Sequence, residues 1–417
     1  MMSQTAPERI ETTCCVAGGG PAGMMLGFLL ARAGVRVVVL EKHADFFRDF
    51  RGDTIHPSTL ELIYELGLLD RFLALPHQEV REIGAFIGST FSPVADFTHL
   101  STHCKFLAFM PQWDFLNFIA AQAKRYETFT LRTQAELDDL IVEDGRVTGA
   151  RGFGLGGGFE VRADIVVGAD GRHSTVRDKA GLAVDEFGAP MDVVWFRVAR
   201  SPSDPSQVLG RMDRGKVIIM IDRGDYYQCG FLIRKGAFDE IKARGVADFR
   251  DDVVSMAPFL GERMVEVRDW SDVSLLTVAV DRLRTWYRPG LLCIGDAAHA
   301  MSPIGGVGIN LAVQDAVAAA NELWQPLLER RVTLEQLAQV QRRREFPTRV
   351  TQRLQVLIQN NVIRRVLGVD RPISPPWPVR LLGRWALLRR LPAAFVGIGV
   401  RPEHIRTPDV SGQPSPG

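Results

Sequence analysis

The sequence predicts an α/β fold: a parallel-sheet nucleotide-binding unit, interleaved with an antiparallel sheet and followed by C-terminal helices. Three observations predict it. A glycine-rich turn joins an apolar strand to a helix within "TTCCVAGGGPAGMMLGFLLARAGVRVVVLEK". Two further apolar runs end in glycine and aspartate, "DIVVGADG" and "GLLCIGDAAH". Between those two, "VVWFRVAR", "KVIIMID" and "YYQCGFLI" alternate as half-buried antiparallel strands do.

The elements follow in order. The first helix starts at Pro21, which suits a position whose N–H has no intrahelical partner, and stops near Ala33 before Gly34. The next strand, "VRVVVLE", ends on Glu41. "HPSTLELIYELGLLDRFLAL" has helical periodicity, and Ser58 with Glu61 reads as a capping box. Residues 80–110 are β-like, and "PQWDFLNFIAAQAKRY" is an amphipathic helix. "EDGR" marks a hairpin, "GLGGG" a looser turn, and the chain after residue 315 is helical. Nucleotide-type motifs thus flank the β-rich middle, so the units are interleaved and not strung like beads.

Bulk properties narrow the function. The 417 residues are 46% apolar and 24% charged, enough for a sizeable core, and a net charge of +1 gives no reason to expect nucleic acid. Cysteines 14, 15, 104, 229 and 293 have no metal-ligand or disulfide-framework spacing and read as buried reduced thiols; no metal is expected. The N-terminus lacks an apolar h-region, and no apolar run reaches the roughly 18 residues of a membrane span. A cytoplasmic enzyme is the expectation.

Gly18, Gly20 and Gly23 fit G-x-G-x-x-G in the strand-turn-helix context that gives the pattern meaning. The turn and the helix start at Pro21, Ala22 and Gly23 suit a pyrophosphate, and Glu41, 23 residues after Gly18, suits a ribose hydroxyl, with Lys42 beside it. An acid there favours FAD or NAD over NADP. "VVGADGRHSTVR" places Asp170 at a strand end. In "GDAAHAMSPIGGVGIN", Asp296 follows an apolar run, and Gly308, Ile309 and Asn310 open a helix whose amides can face a flat polar ring.

These three segments, in this order, resemble the flavin-dependent monooxygenases of the para-hydroxybenzoate hydroxylase type, the single-component aromatic hydroxylases, over roughly residues 12–345. The resemblance implies a Rossmann-like FAD-binding domain of the GR2 type made from residues 10–80, 110–188 and 285–345. It further implies a substrate domain from 81–109 and 189–284, and a C-terminal helical region, 346–417. It places the pyrophosphate of FAD at Gly18–Gly23 and the adenosine ribose at Glu41. Arg51 and Gln112 match cofactor-contacting positions. Asp170 belongs to a motif used for both FAD and the nicotinamide cofactor, and Asp296 serves the ribityl or pyrophosphate region. Pro303 borders the oxygen-reaction site, and the amides of Gly308, Ile309 and Asn310 face the flavin pyrimidine.

The implied activity is aromatic hydroxylation. NADH or NADPH reduces FAD, O2 adds at the flavin C4a to form a hydroperoxide, and one oxygen passes to a phenol-like small molecule. The same scaffold also serves lipid- or quinone-precursor-directed monooxygenases and epoxidases, and prenyl reductases. A non-enzymatic flavin-binding interaction module is the further alternative. The base that would activate a phenol is not legible; Tyr226, Tyr227 and His56 are candidates, with Arg211 and Gln228 as further polar groups on the same sheet. Alternation puts Tyr226 and Gln228 on one face and Tyr227 on the other. His299 reads as structural. The partners implied are the aromatic substrate, O2 and NAD(P)H, with a monomer or homodimer as the assembly. The arginine- and tryptophan-rich stretch 346–406 has two readings, a helical layer packed on the body or a peripheral contact at the inner membrane.

Overall fold

A computed structural model of the chain describes residues 7–47, 54–205 and 209–410. Five strands run parallel in the order Phe129–Thr133, Val37–Glu41, Glu8–Ala17, Gly157–Gly168, Leu291–Cys293. Tyr287–Arg288 adds an antiparallel edge, and the hairpin Ala135–Glu143 and Arg146–Gly154 pairs with the first half of Gly157–Gly168. The central strands are buried on both faces, as parallel strands covered by helices are, so they read as continuous apolar runs. Cys14, Cys15 and Cys293 lie in this core, and all five cysteines are buried and free.

The helix Pro21–Arg32 packs on the parallel sheet and against Gly308–Leu328 and Gln112–Ala123. The hairpin at Asp144–Gly145 has both residues at positive φ, as the "EDGR" reading requires. The capping box does not form. Pro57 occupies the first helical turn of Pro57–Glu65, His56 is the N-cap, and Ser58 therefore falls inside the helix. Glu61 instead accepts from the His103 backbone N–H (3.0 Å) and pairs with its Nδ1 (2.8 Å).

The second sheet has seven strands in the order Ser274–Leu276, Met191–Ala199, Tyr226–Arg234, Lys216–Asp222, Leu209–Asp213, Glu82–Ile87, Thr90–Asp96. It is antiparallel except where Leu209–Asp213 runs parallel to Glu82–Ile87, which lets the 82–96 hairpin join the 191–234 meander from a distant part of the chain. Helices Phe238–Arg244 and Val246–Met256 and the turns of Pro258–Glu266 interrupt the expected run of strands and cover one sheet face. The other face carries Trp195 and Ile221 and meets Ile304 and the helix Arg390–Gly397 through two smaller apolar clusters.

The helix Leu334–Ile358 runs through a π-turn into Arg364–Leu367. Helices Trp377–Arg384 and Arg390–Gly397 lie over the edge strand Thr90–Asp96. The C-terminal region is not helical throughout: residues 401–410 run without helix or strand back to the parallel sheet side, where Arg32 Nη1 donates to Thr407 O (2.6 Å) and Val410 N to Arg32 O (3.0 Å). Among the described residues no helix is long and apolar enough to cross a membrane.

Candidate active site

Three segments distant in sequence meet at one end of the parallel sheet. Gly18 has φ +104°, open to glycine alone without strain, and a Cβ there would strike the Ala169 carbonyl. A Cβ at Gly23 would overlap the Gly18 carbonyl oxygen, so the helix start can only lie this close to the turn if residue 23 has no side chain. A Cβ at Gly295 would come within 3.1 Å of Ala22 and 3.3 Å of Ala312. The turn at 18–23, the turn at 169–171 and the "GDAAH" turn are therefore packed together.

What this junction offers is donors. The helix Pro21–Arg32 has Gly20 as N-cap and no side-chain cap; Gly308–Leu328 likewise starts uncapped after Val307. The first amides of a helix have no intrahelical acceptor and carry its positive dipole end. Nothing lies within 4 Å of a Cβ built on Gly20 or on Gly308, so space stands open beside both helix starts. Glu41 is buried, its Oε2 accepting from Gly19 N (3.1 Å) and its Oε1 from His43 N (3.0 Å). Open space at two dipole ends and an anchored carboxylate at a strand end fit the pyrophosphate, the ring and the ribose of FAD.

The other predicted residues fall in different surroundings. Asp296 is half-buried in the turn Gly295–Ala297, 3.7 Å from Arg172 Nη2. Both oxygens of Asp170 are engaged by its own turn, with Ser174 Oγ (2.5 Å) and Val176 N (3.1 Å), so its carboxylate braces that turn. Lys42 is largely exposed and lies 3.7 Å from Glu136 on the surface. Gln112 is half-buried at the start of Gln112–Ala123. Pro303 is half-buried and leads the tight turn Ile304–Gly306. Arg51 lies outside the described residues.

Asn310 is buried, and its side chain bridges two segments. Its Oδ1 accepts from His56 N (2.9 Å) and Thr59 Oγ1 (2.7 Å), and its Nδ2 donates to Thr54 O (3.1 Å). The side chain fastens the helix start to the segment 54–59. Sequence periodicity carried no sign of it, because the partners lie about 250 residues away.

The second sheet decides between the tyrosines. Tyr227 is fully buried on the face covered by the helices; its hydroxyl donates to Pro205 O and its ring meets Phe259 edge-on. Arg211 turns the same way, donating to Met256 O (3.0 Å) and stacking over Phe86. Both are thereby removed from the face toward Ile304. Tyr226 and Gln228 share the Trp195 face, where Arg197 stacks over the Tyr226 ring at 5.2 Å and Arg223 Nη2 reaches Gln228 Oε1 (3.5 Å).

Behind the site lies a buried charge network that the sequence did not disclose. Asp315 accepts from Gly295 N (3.1 Å) and pairs with His299 Nε2 (2.6 Å) and Arg344 Nε (2.9 Å); all three side chains are essentially inaccessible. Arg344 also reaches Glu403 (3.4 Å), which Arg343 pairs from the outside. Burial works against the Asp315 charge, but His299 and Arg344 beside it hold its carboxyl below the ordinary carboxylate range. His299 is thus a strut between the "GDAAH" turn and the long helix.

His56 is fully buried with Nδ1 2.7 Å from Val396 O, so the neutral ring carries its proton on Nδ1, and Nε2 has no partner among the described residues. Burial brings its pKa down to about 4 from the ordinary 6.5, against a smaller upward pull from the Val396 carbonyl. A neutral imidazole is what the fold accepts. As pH falls from 6.5 to about 4, the unfolded chain takes up a proton that the folded chain refuses, so about 3 kcal/mol of stability is lost across that window. In His56→Asn the corresponding part of the fall in Tm between about pH 7 and pH 4.5 is expected to disappear; a Tm profile parallel to the parent's would contradict this.

The comparisons with known proteins agree with this geometry. A family described as "FAD binding domain" matches residues 11–354. A 6-methylpretetramide 4-monooxygenase of Streptomyces rimosus is 33% identical over 390 residues, covering 91% of this chain and 92% of that protein. A rifampicin monooxygenase of Streptomyces venezuelae is 29% identical over 338 residues, covering 75% of this chain and 65% of that longer protein. Among solved structures, a p-nitrophenol 4-monooxygenase from Pseudomonas putida shares the fold, with a TM-score of 0.76 at 20% identity over 94% of this chain and 100% of that one. With a glycine turn, an anchored strand-end acid and two open helix starts gathered at one place, the chain belongs to the FAD-binding family of the flavin-dependent aromatic monooxygenases.

Proposed function

We propose that this protein hydroxylates an aromatic, phenol-like small molecule, with NADH or NADPH as reductant and O2 as oxygen source. The observation that carries the reading is the convergence of the three segments on one junction, with open helix starts at Gly20 and Gly308. Bound FAD supplies hydride acceptance from NAD(P)H and activation of O2; the chain's own residues do the rest. The amides of Ala22 and Gly23, at the positive end of their helix, would hold the pyrophosphate, and Glu41 the adenosine ribose. Asp296 would accept from ribityl hydroxyls. The amides of Gly308, Ile309 and Asn310 would face the polar edge of the ring, where they stabilise negative charge, with Asn310 locking that helix start in place. Pro303 would border the reaction site, roofed by the Trp195 face of the second sheet, whose apolar side chains exclude water.

We assign residues 10–80, 110–188 and 285–345 to a Rossmann-like FAD-binding domain of the GR2 type, joined by the returning segment 401–410. Residues 81–109 and 189–284 form the substrate domain. The relatives' names favour a fused-ring or phenolic aromatic substrate, and the apolar wall at Trp195, Ile219 and Ile221 suits one.

Asp296→Ala is expected to retain FAD about 10-fold less tightly, the equivalent of one hydrogen bond to a charged acceptor; unchanged retention on dilution would contradict the assignment. The reading as a whole is tested by screening phenols, N-heteroaromatics and fused-ring aromatics for stimulated NAD(P)H oxidation by the FAD-loaded protein. Stimulation with an oxygenated product is expected. Bound FAD with no oxygenated product from any of these classes would overturn it.

A further inference from the structure

Residues 346–402 contain ten arginines, no lysine and a single acid, Asp370, a local charge of +9 in a chain whose total is +1. The structure buries Ile363, Val366 and Ala393 of this segment but leaves its largest apolar side chains outside. Trp377 is 71% exposed, Trp385 56%, Leu387 64% and Leu391 70%. Trp377, Leu381 and Trp385 recur every four residues, so they form one stripe along the helix Trp377–Arg384 and its C-cap. Arg380 and Arg384 stand beside the stripe and Arg390 begins the next helix. All three are exposed, and among the described residues none has a carboxylate within ion-pair distance.

The patch is anchored. Ala393 is fully buried with Phe97, Phe109 and Ile221, both helices lie on the strand Thr90–Asp96, and Arg389 ties them by donating to Leu382 O and Gly383 O (2.9 Å each). The molecule therefore presents a fixed surface of tryptophan, leucine and unpaired arginine.

We infer that this surface docks the protein on an anionic lipid bilayer. A two-fold contact between copies would set Arg380, Arg384 and Arg390 against the same unpaired arginines of the other copy, so a symmetric dimer is the wrong occupant. The side-chain types match the layers of a bilayer surface: leucines at the acyl boundary, tryptophans at headgroup depth, and arginines among the phosphates, with the alkyl stems free to lie along the apolar stripe. Electrostatic attraction and apolar insertion then act together, and neither requires a spanning helix.

The test uses the FAD-loaded full chain and sedimentation with vesicles of phosphatidylcholine alone or mixed with phosphatidylglycerol. Binding to the phosphatidylglycerol vesicles at about 0.1 M salt is expected, much weaker binding to phosphatidylcholine, and weakening toward 1 M salt. Arg380→Gln/Arg384→Gln/Arg390→Gln is expected to bind on the order of 100-fold less tightly. Trp377→Ser/Trp385→Ser/Leu391→Ser is expected to stay in the supernatant, with FAD content and NAD(P)H oxidation equal to the parent's. In the parent, lipids brominated in the upper acyl chain are expected to quench tryptophan fluorescence, and in that variant the quenching is lost. No sedimentation with phosphatidylglycerol, equal binding to both lipids, or parent-like binding by the two variants would overturn the inference. So would a stable complex with an acidic protein in place of vesicle binding.

Discussion

Gly20→Ala is expected to fold as the parent does and to bind FAD about 10- to 100-fold more weakly, the effect of one methyl group forced into a close contact. Gly20 has φ −75°, a conformation any residue adopts, and no protein atom lies within 4 Å of a Cβ there. The methyl would project into the space the account gives to the pyrophosphate, so the defect should appear in FAD affinity and not in the Tm of the FAD-free protein. Gly23→Ala is the counterpart. Its Cβ would overlap the Gly18 carbonyl, so the turn and the helix must separate whether or not FAD is bound. Here the FAD-free protein itself is expected to lose stability, by about 1–3 kcal/mol or more. The pair separates a glycine that clears room for a ligand from one that clears room for the fold. Parent-like FAD affinity in Gly20→Ala would move the pyrophosphate away from this turn.

Asp315→Ala is expected to give the largest loss of stability of any single change at the site. It leaves Arg344 and His299 buried, the first with Glu403 at 3.4 Å and the Arg401 carbonyl at 3.3 Å and the second with no carboxylate among the described residues. Removing one partner of a buried ion pair typically costs about 3–5 kcal/mol, because the remaining charge stays desolvated. For a chain of 417 residues that corresponds to a fall in Tm of about 5 °C. Gly295 N–H also loses its acceptor, which loosens the turn carrying Asp296, so FAD affinity is expected to fall as well. Arg343→Ala, which removes the one-third-exposed partner of buried Glu403 and leaves it Arg344 at 3.4 Å, is expected to cost less, about 1–3 kcal/mol. Equal effects of the two substitutions would mean that the network is not what holds the turn.

The contrast between these residues shows where the sequence is informative. Gly18, Gly20 and Gly23 are legible because backbone approach is a local demand that only glycine meets, and its spacing is written in six consecutive residues. Glu41 is legible because a strand of fixed rise places it beside that turn. The Asp315–Arg344–Glu403 network is not legible, since its members lie on separate elements up to 88 residues apart and nothing local distinguishes them from solvated charges. Tyr226 and Tyr227 could be assigned to opposite faces by alternation, but which face is covered depends on the helices at 238–256, whose packing is a tertiary fact. Ser58 and Glu61 matched a capping pattern, yet Pro57 started the helix two positions earlier than the pattern needs, and His103 drew Glu61 away. The C-terminal segment declared its charge in composition; only the packing on Thr90–Asp96 shows which of its apolar side chains remain outside.

The central claim is that one FAD site, built from residues 18–41, 169–177 and 295–310, uses O2 to hydroxylate an aromatic ring. It is tested most directly by turnover under isotopically labelled O2 in unlabelled water, with the aromatic compound that best stimulates NAD(P)H oxidation. A product carrying a single labelled oxygen atom is expected, formed only when FAD is bound and lost in step with FAD in Gly20→Ala. A product whose oxygen comes from water, or NAD(P)H oxidation that yields no labelled product, would contradict it.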